Sequence, residues 1–185
     1  MQTKWIDRPI DYTGCELKSR WIFDQCGLQN DAILCFVGGA NVPIEHMVDL
    51  EDVAANKPIY SEKMLHFIVE HFDLDLERMV LRQRLFIAIL KDELQKNPQC
   101  NAILRSGNDL YDGKAKLSVS VATSSPVSCL IHTGINISSK NTPVLTKGLH
   151  DYDIDPKTLA LSLMEKYAAE ITGTKHACTK VRSVN

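Results

Sequence analysis

The sequence lacks the features that mark several large classes of protein. No apolar run approaches the roughly 18 residues that a membrane-spanning helix needs. Lysine and arginine number 21 against 23 aspartates and glutamates, so the basic excess typical of a general nucleic-acid binder is absent. The first residues, MQTKWIDRPI, show neither the apolar stretch nor the cleavage site of a signal peptide. We therefore expect a cytoplasmic protein with no membrane or nucleic-acid partner.

The cysteines lack the spacing of a metal site or a disulfide framework. No CxxC or CxxxxH spacing suggests a structural metal. Several lie inside apolar runs, which is typical of reduced core residues in a cytoplasmic protein. We predict neither a structural metal nor disulfides among Cys15, Cys26, Cys35, Cys100, Cys129 and Cys178.

Local patterns predict an alternation of helices and strands. Thr13 and Glu16 form a T-x-x-E capping box that predicts a helix ending at Gly27. The apolar run Asp31–Val37 predicts a buried strand ending at Gly38-Gly39. Further along we predict a weak helix at Asp49–Ala55, a strand at Ser61–Phe72, the longest helix at Asp73–Lys96, strands at Lys114–Thr123 and Val127–Ile137, and a last helix from Asp155-Pro156 to Gly173.

These elements indicate one domain over residues 1–185, because a second independent core would be cramped at this length. Helices are few and hairpins are expected, which favours the α+β class with a mainly antiparallel sheet and flanking helices.

One segment, Asn108–Ile137, resembles the central block of the biotin/lipoate protein ligase superfamily. The order and spacing of its pieces match over about thirty residues, and Phe36–Asn41 is similar to that superfamily's first strand end. Over most of its length the chain is more similar still to an uncharacterised prokaryotic family, domain of unknown function 366, that resembles the same ligases. The matching pieces are Asn108-Asp109-Leu110, Gly113, Lys116-Leu117 and Gly134-Ile135-Asn136-Ile137.

The resemblance implies a biotin/lipoate-ligase-like fold, related to class II aminoacyl-tRNA synthetases. It also implies a small-molecule ligand, an acyl-adenylate made with ATP, and transfer of the acyl group to an acceptor protein. Some members transfer acyl groups without ATP, so both routes stay open. Lys116 matches the lysine that touches the acyl carbonyl and the α-phosphate, and we take it as the catalytic candidate. Asn108, Asp109, Gly134, Asn136 and the pair Gly38 and Gly39 are candidate substrate-binding residues.

The two-residue period of strands supports a site on the hairpin independently. A five-residue connection at 123–127 predicts Ser118 opposite His132, Lys116 opposite Gly134 and Lys114 opposite Asn136. Gly134 then leaves open space beside the lysine, and Ser118 and His132 join the candidate binding residues. The alternative is that this face is a solvated outer side of the sheet.

Two further segments concern a possible metal site and the ligase reaction. His66-Phe-Ile-Val-Glu70-His71 fits no zinc-protease spacing, so we expect no metal and treat His66 as a candidate cleft residue. The stretch Tyr60–His66, where ligases carry a glycine-rich loop, has no glycine. Two functions therefore stay open: an acyl- or adenylate-handling transferase that uses Lys116, and a non-catalytic binding or interaction protein. The hairpin edge and apolar helices also suggest a homodimer.

Overall fold

The computed structural model describes residues 1–142 and 144–184. Within these ranges eight strands and four α-helices follow one another, with short 3-10 turns between some of them. The strands are β1 (Gln2–Trp5), β2 (Ala32–Val42), β3 (Ile59–His71), β4 (Ile103–Ser106), β5 (Asp109–Asp112), β6 (Ala115–Lys116), β7 (Ser118–Ser124) and β8 (Cys129–Asn136). The helices are α1 (Trp21–Cys26), α2 (Leu50–Ala54), α3 (Leu76–Leu94) and α4 (Pro156–Thr179).

The main sheet has five strands in the order β1-β2-β3-β8-β7. β1 lies parallel to β2, and every other pair in this sheet is antiparallel. A smaller antiparallel sheet contains β4, β5 and β6 in sequence order. The mainly antiparallel α+β architecture predicted from the sequence is confirmed.

Apolar side chains cover both faces of the main sheet. In β2, Ile33 and Cys35 belong to the larger cluster, which includes residues of α3 and α4. Leu34 and Phe36 face the other way, into a smaller cluster with α1 and the N-terminal segment. Because both faces of β2 are buried, its sequence shows a continuous apolar run rather than alternation.

Several element boundaries differ from the predictions. The Thr13 N–H does bond to the Glu16 carboxylate at 2.7 Å, but turns follow and α1 begins only at Trp21. β2 continues through Gly38 and Gly39 to Val42 by means of a register shift.

The longest helix is α4 with 24 residues, rather than α3 with 19. α4 runs past Gly173, where we predicted its end, because one glycine costs a helix only about 1 kcal/mol.

The predicted register of the β7–β8 hairpin is wrong by three residues. Pairing extends to Ser124 opposite Cys129, and Ser118 lies opposite Ile135. Val121, instead of Ser118, lies opposite His132. The cause is a tighter turn, in which the Ser125 N–H donates to the Ser128 carbonyl at 2.7 Å. An odd shift exchanges the two faces of one strand relative to the other.

Burial of the cysteines differs from the prediction that they are core residues. All six cysteines are free, but only Cys35, Cys100 and Cys129 are buried.

No helix in the described ranges is both long enough and apolar enough to cross a bilayer.

Candidate functional site

A half-enclosed cavity of about 250 Å³ lies where β5, β7 and β8 meet the segment that carries α2. We call it the Lys116 cavity. It brings together four of the predicted site residues, Lys116, Asn108, Asp109 and His132. The other lining residues are Tyr12, Val42, His46, Met47, Val48, Asp49, Glu51, Asp52, Ile59, Val119, Ser120 and Val121.

Lys116 and Asp109 form an ion pair in the cavity wall. Lys116 Nζ lies 2.8 Å from Asp109 Oδ2, and the two side chains are 30% and 18% exposed. Burial raises the pKa of Asp109, and the nearby ammonium opposes that rise. The lysine thus enters the cavity with its charge already balanced by a neighbouring carboxylate.

The backbone of Lys116 is fixed on both sides. Its N–H donates to the Leu145 carbonyl at 3.0 Å, and its carbonyl accepts from the Lys147 N–H at 3.2 Å. β6 ends at Lys116, and β7 begins at Ser118. Between them, the Leu117 N–H donates a hydrogen bond to the Leu110 carbonyl. The lysine therefore occupies the step between the small sheet and the main sheet, not a position inside the β7–β8 hairpin.

Asn136 supports this step from β8. Its Nδ2 lies 3.4 Å from the carbonyl oxygens of both Lys116 and Lys147, and its Oδ1 accepts from the Ser61 hydroxyl at 3.3 Å. Asn136 is 5% exposed and does not line the cavity. Its side-chain contacts are therefore with the backbone that holds Lys116 and with Ser61.

Stacked rings form the floor of the cavity. The ring of Tyr12 lies on that of His132 with centroids 3.6 Å apart and planes 9° apart. Behind it, His132 Nε2 lies 3.1 Å from His66 Nδ1, and His66 is completely buried. Phe36 stacks on His66 at 5.1 Å. His66, which the sequence predicted as a cleft residue, therefore lies behind the floor of the cavity. It contacts His132, which lines the cavity.

Burial keeps the two histidines neutral. It lowers the pKa of His66 to about 4, against an opposing effect of the backbone at Gly38 and Gly39. Burial also lowers the pKa of His132 well below its usual value, and the neighbouring His66 adds to that lowering. Neither ring contributes a positive charge to the cavity at neutral pH.

Gly134 does not provide the open space that we predicted. A Cβ on Gly134 would lie 2.9 Å from Met64 Cε and 3.3 Å from Val119 Cγ2. Its register partner on β7 is Val119 rather than Lys116. The space beside Gly134 is filled by the side chains of Met64 on β3 and Val119 on β7.

Ser118, Gly38 and Gly39 also have structural contacts away from the cavity. The Ser118 hydroxyl accepts from the Leu110 N–H at 3.0 Å inside the protein. A Cβ on Gly38 would lie 1.8 Å from the carbonyl oxygen of Ile10, so the glycine permits close approach of two backbones. The Gly39 N–H donates to an Asp11 carboxylate oxygen at 2.9 Å.

The sequence patterns missed the other side of the cavity. Tyr12 precedes the predicted first helix, and only its long-range stack on His132 gives it a place in the site. The acidic stretch near α2 was visible as composition, but nothing local indicates that Asp49, Glu51 and Asp52 face Lys116 across a cavity. Within residues 1–142 and 144–184, no group of three or more potential ligands could hold a metal ion.

Solved structures share this fold at low sequence identity. A biotin protein ligase from Aquifex aeolicus in complex with biotin and ATP superposes with a TM-score of 0.61 and 15% identity, over 95% of this chain and 72% of that chain. A putative lipoate protein ligase from T. acidophilum with bound lipoic acid gives 0.60 and 10%, over 91% of this chain and 87% of that chain. The fold is therefore that of the biotin/lipoate protein ligases, as the resemblance implies.

The chain belongs to the family described as Domain of unknown function (DUF366), which matches residues 1–182. An uncharacterized protein of Methanocaldococcus jannaschii is 40% identical over 178 residues, which is 92% of this chain and 80% of that protein. A protein of unknown function from Pyrococcus horikoshi has a TM-score of 0.92 and 34% identity, covering 100% of this chain and 99% of that chain. The Pyrococcus horikoshi protein shares the whole fold, and the two relatives are described as of unknown function and as uncharacterized.

Proposed function

We propose that the chain is an acyl- or adenylate-handling transferase that binds a small molecule in the Lys116 cavity. The observation that carries the proposal is the position of Lys116, whose ammonium lies in a half-enclosed cavity on a fixed backbone. The shared fold supports it, because neighbours of that fold are described with bound biotin, ATP or lipoic acid.

In this proposal Lys116 stabilises negative charge that develops on an acyl carbonyl or a phosphate. An ammonium held in a partly dry cavity does this better than one in water, since the local dielectric constant is lower. Asp109 holds the ammonium in place until the ligand arrives. Asn136 keeps the backbone of Lys116 from moving during the exchange of partners.

The binding test compares Lys116→Ala with Lys114→Ala. Lys114 is an exposed lysine two positions away, so the control removes the same charge outside the cavity. Calorimetry with ATP and with short and medium acyl esters should show affinity falling at least about tenfold in Lys116→Ala and staying unchanged in Lys114→Ala. If wild type and Lys116→Ala are indistinguishable against every ligand that binds, the proposal is wrong.

A specific observation also favours a second candidate, a non-catalytic small-molecule-binding or interaction protein. Tyr60–His66, where the ligases would carry a glycine-rich loop, lies within β3 and pairs with β2. No flexible glycine backbone is available there to approach phosphates. Release of pyrophosphate from ATP in the presence of a carboxylic acid supports the transferase. Ligand binding with neither pyrophosphate release nor acyl transfer supports the second candidate.

Two partner questions belong to the same proposal. Transfer requires an acceptor, and an acceptor protein would be detected by the mass increase of one acyl group after incubation with enzyme and acyl donor. The homodimer suggested by the hairpin edge and the apolar helices is tested by sedimentation equilibrium of the purified chain.

A further inference from the structure

A second cavity of about 250 Å³ lies between α3 and α4, and we call it the α3–α4 groove. Within each helix its lining residues recur at steps of three and four positions, so each set lies on one face of its helix. Among the described lining residues three are cations and none is a carboxylate. They are Arg78, Leu81, Arg82 and Leu85 on α3, and Ile171, Thr174 and Lys175 on α4.

The groove lies at one end of an antiparallel helix pair. Further along the pair the helices touch directly, since the Ser162 hydroxyl of α4 donates to Glu93 of α3 at 2.7 Å. The rings of Phe86 and Tyr167 also meet, with centroids 5.3 Å apart. Beyond Ile171 every described residue of the chain is exposed. The last part of α4 therefore lies outside the core, beside the groove.

The floor of the groove is apolar and partly open to solvent. Ile171 is 5% exposed, Leu85 is half-buried and Leu81 is 61% exposed. The segment leading into α3 adds further exposed apolar side chains, namely Phe72, Leu74 and Leu76. Single exposed leucines are ordinary on protein surfaces, but a concentration of them beside a groove is typical of an interaction surface.

Two arginines at the groove are held in place and keep donors for a partner. Arg82 Nη1 lies 2.8 Å from Asp73 Oδ2, and Arg78 Nη2 lies 3.1 Å from Asp75 Oδ2. A guanidinium has five N–H donors, and these contacts engage only a part of them. The carboxylates thus orient the two guanidinium groups without using all of their hydrogen-bonding capacity.

Positive charge continues along the end of α4. Lys175 is 72% exposed, and its Nζ lies 3.7 Å from Asp31 Oδ2, which is longer than a hydrogen bond. Lys180 and Arg182 follow on exposed chain. From residue 171 to residue 184 the sequence contains no aspartate or glutamate. Because the whole chain has a net charge of −2, this end of α4 is a local concentration of positive charge.

We propose that the α3–α4 groove, together with the basic end of α4, is a docking site for an acidic segment of another protein that also carries apolar side chains. The apolar side chains of that segment fill the groove over Ile171. Its carboxylates meet Arg78, Arg82 and Lys175. Complementary charge of this kind speeds association and disfavours partners of the wrong sign.

This surface is separate from the Lys116 cavity. α3 and α4 pack on the face of the main sheet that carries Ile33 and Cys35. Tyr12, from the floor of the Lys116 cavity, belongs to the cluster on the other face. The inference therefore does not depend on the proposed function, and it concerns a second binding partner.

The groove matches three other occupants less well. Nucleic acid supplies phosphates but no apolar side chains for the floor, and a flat bilayer requires apolar side chains that project from the surface. A second copy of this chain offers the acidic α2 with its exposed Leu50, but α2 borders the Lys116 cavity on the other side of the sheet. That contact would be head-to-tail and would not close into a dimer.

The test measures fluorescence anisotropy of three labelled peptides of equal length with the full chain. One is an amphipathic peptide of glutamate and leucine, the second replaces its glutamates by lysine, and the third is polyglutamate. The glutamate–leucine peptide should bind at least about tenfold more tightly than either of the others, because it alone supplies both charge and apolar side chains.

Matched surface variants locate the contact. Leu81→Ser should weaken the glutamate–leucine peptide about fivefold, whereas Leu161→Ser, which changes an exposed leucine elsewhere on α4, should have no effect. Lys175→Glu should weaken it about tenfold, and Lys114→Glu, at an exposed lysine outside the groove, should not. All four positions are exposed, and circular dichroism checks that each variant is folded.

Hydrogen exchange gives a readout without mutation. The glutamate–leucine peptide should slow exchange of the backbone amides in residues 172–179, which are exposed in the free chain, and leave those around Lys116 unchanged.

Several results would overturn the inference. It fails if the lysine–leucine peptide binds as tightly as the glutamate–leucine peptide, if no peptide binds, or if Leu81→Ser behaves like Leu161→Ser. Tighter binding of a single-stranded RNA oligomer or of phosphatidylglycerol vesicles would assign the surface to nucleic acid or membrane instead. A dimer in sedimentation equilibrium that Leu81→Ser abolishes would assign it to a second copy of the chain. The proposed function is tested separately by Lys116→Ala.

Discussion

A hydrogen-bonded chain of three side chains, of which His71 and Tyr167 are buried and Asp31 is partly exposed, connects the main sheet to α4. His71 is completely buried, with Nδ1 3.0 Å from Asp31 Oδ2 and Nε2 3.0 Å from the Tyr167 hydroxyl. The imidazole donates to the carboxylate and accepts from the phenol. Asp31 also accepts from the Phe72 N–H at 3.0 Å. We predict that Asp31→Asn lowers the free energy of unfolding at neutral pH by about 2 kcal/mol, since a charge-assisted hydrogen bond becomes a neutral one.

The same contact sets how this loss depends on pH. The hydrogen bond from His71 holds the pKa of Asp31 well below its usual range, against the opposing effect of burial. Because the folded state favours the carboxylate, its stabilisation is complete above the unfolded pKa of about 4 and is lost as pH falls through the lower folded value. The difference between wild type and Asp31→Asn should therefore narrow below about pH 4.

Urea denaturation followed by circular dichroism, at neutral pH and at about pH 3, measures both effects. Asp92→Asn removes an exposed carboxylate from α3 and should change stability by less than about 0.5 kcal/mol. Tyr167→Phe should cost about 1 kcal/mol, and the double variant with Asp31→Asn should cost less than the sum. The reasoning is refuted if Asp31→Asn costs no more than Asp92→Asn at neutral pH, or if its cost stays constant in acid.

The remaining predictions concern residues that do not line the Lys116 cavity. Gly38→Ala should prevent normal folding, because its Cβ would lie 1.8 Å from a backbone oxygen, and the yield of soluble monodisperse protein measures this. Gly134→Ala should be tolerated at a cost of about 1–3 kcal/mol, because the atom it meets is the flexible end of Met64; a failure to fold would contradict this. Ser118→Ala should cost about 1–3 kcal/mol by leaving the buried Leu110 N–H unpaired, while calorimetry shows unchanged ligand affinity.

The parts of the fold that follow local rules could be predicted from the sequence. The apolar run at the start of β2, the long apolar stripe of α3 and the Asp155 cap of α4 each depend on neighbours within a few residues. The resemblance in Asn108–Ile137 correctly indicated the ligase-like fold. Together these sufficed for the fold class.

Features that depend on distant contacts could not be predicted in this way. The hairpin register was wrong because the bonds between Ser125 and Ser128 shorten the turn, and turn geometry decides register. The space beside Gly134 is filled by Met64, which is remote in sequence. Likewise, the stack of Tyr12 on His132 joins residues more than a hundred positions apart.

The polar hairpin face predicted from alternation is largely buried in the structure. All eight residues of β8 are buried, including His132 and Asn136. The reading of this face as a solvated outer side therefore fails for β8. Its polar residues instead support the floor of the cavity and the backbone of Lys116.

The central claim is that the Lys116 cavity is the ligand site of this protein. A crystal structure of the wild-type chain grown with the tightest-binding of ATP and the acyl ligands tests it most directly. We expect ligand density inside the cavity, in contact with the ammonium group of Lys116. Ordered ligand at another surface, with the cavity filled by water alone, would contradict it.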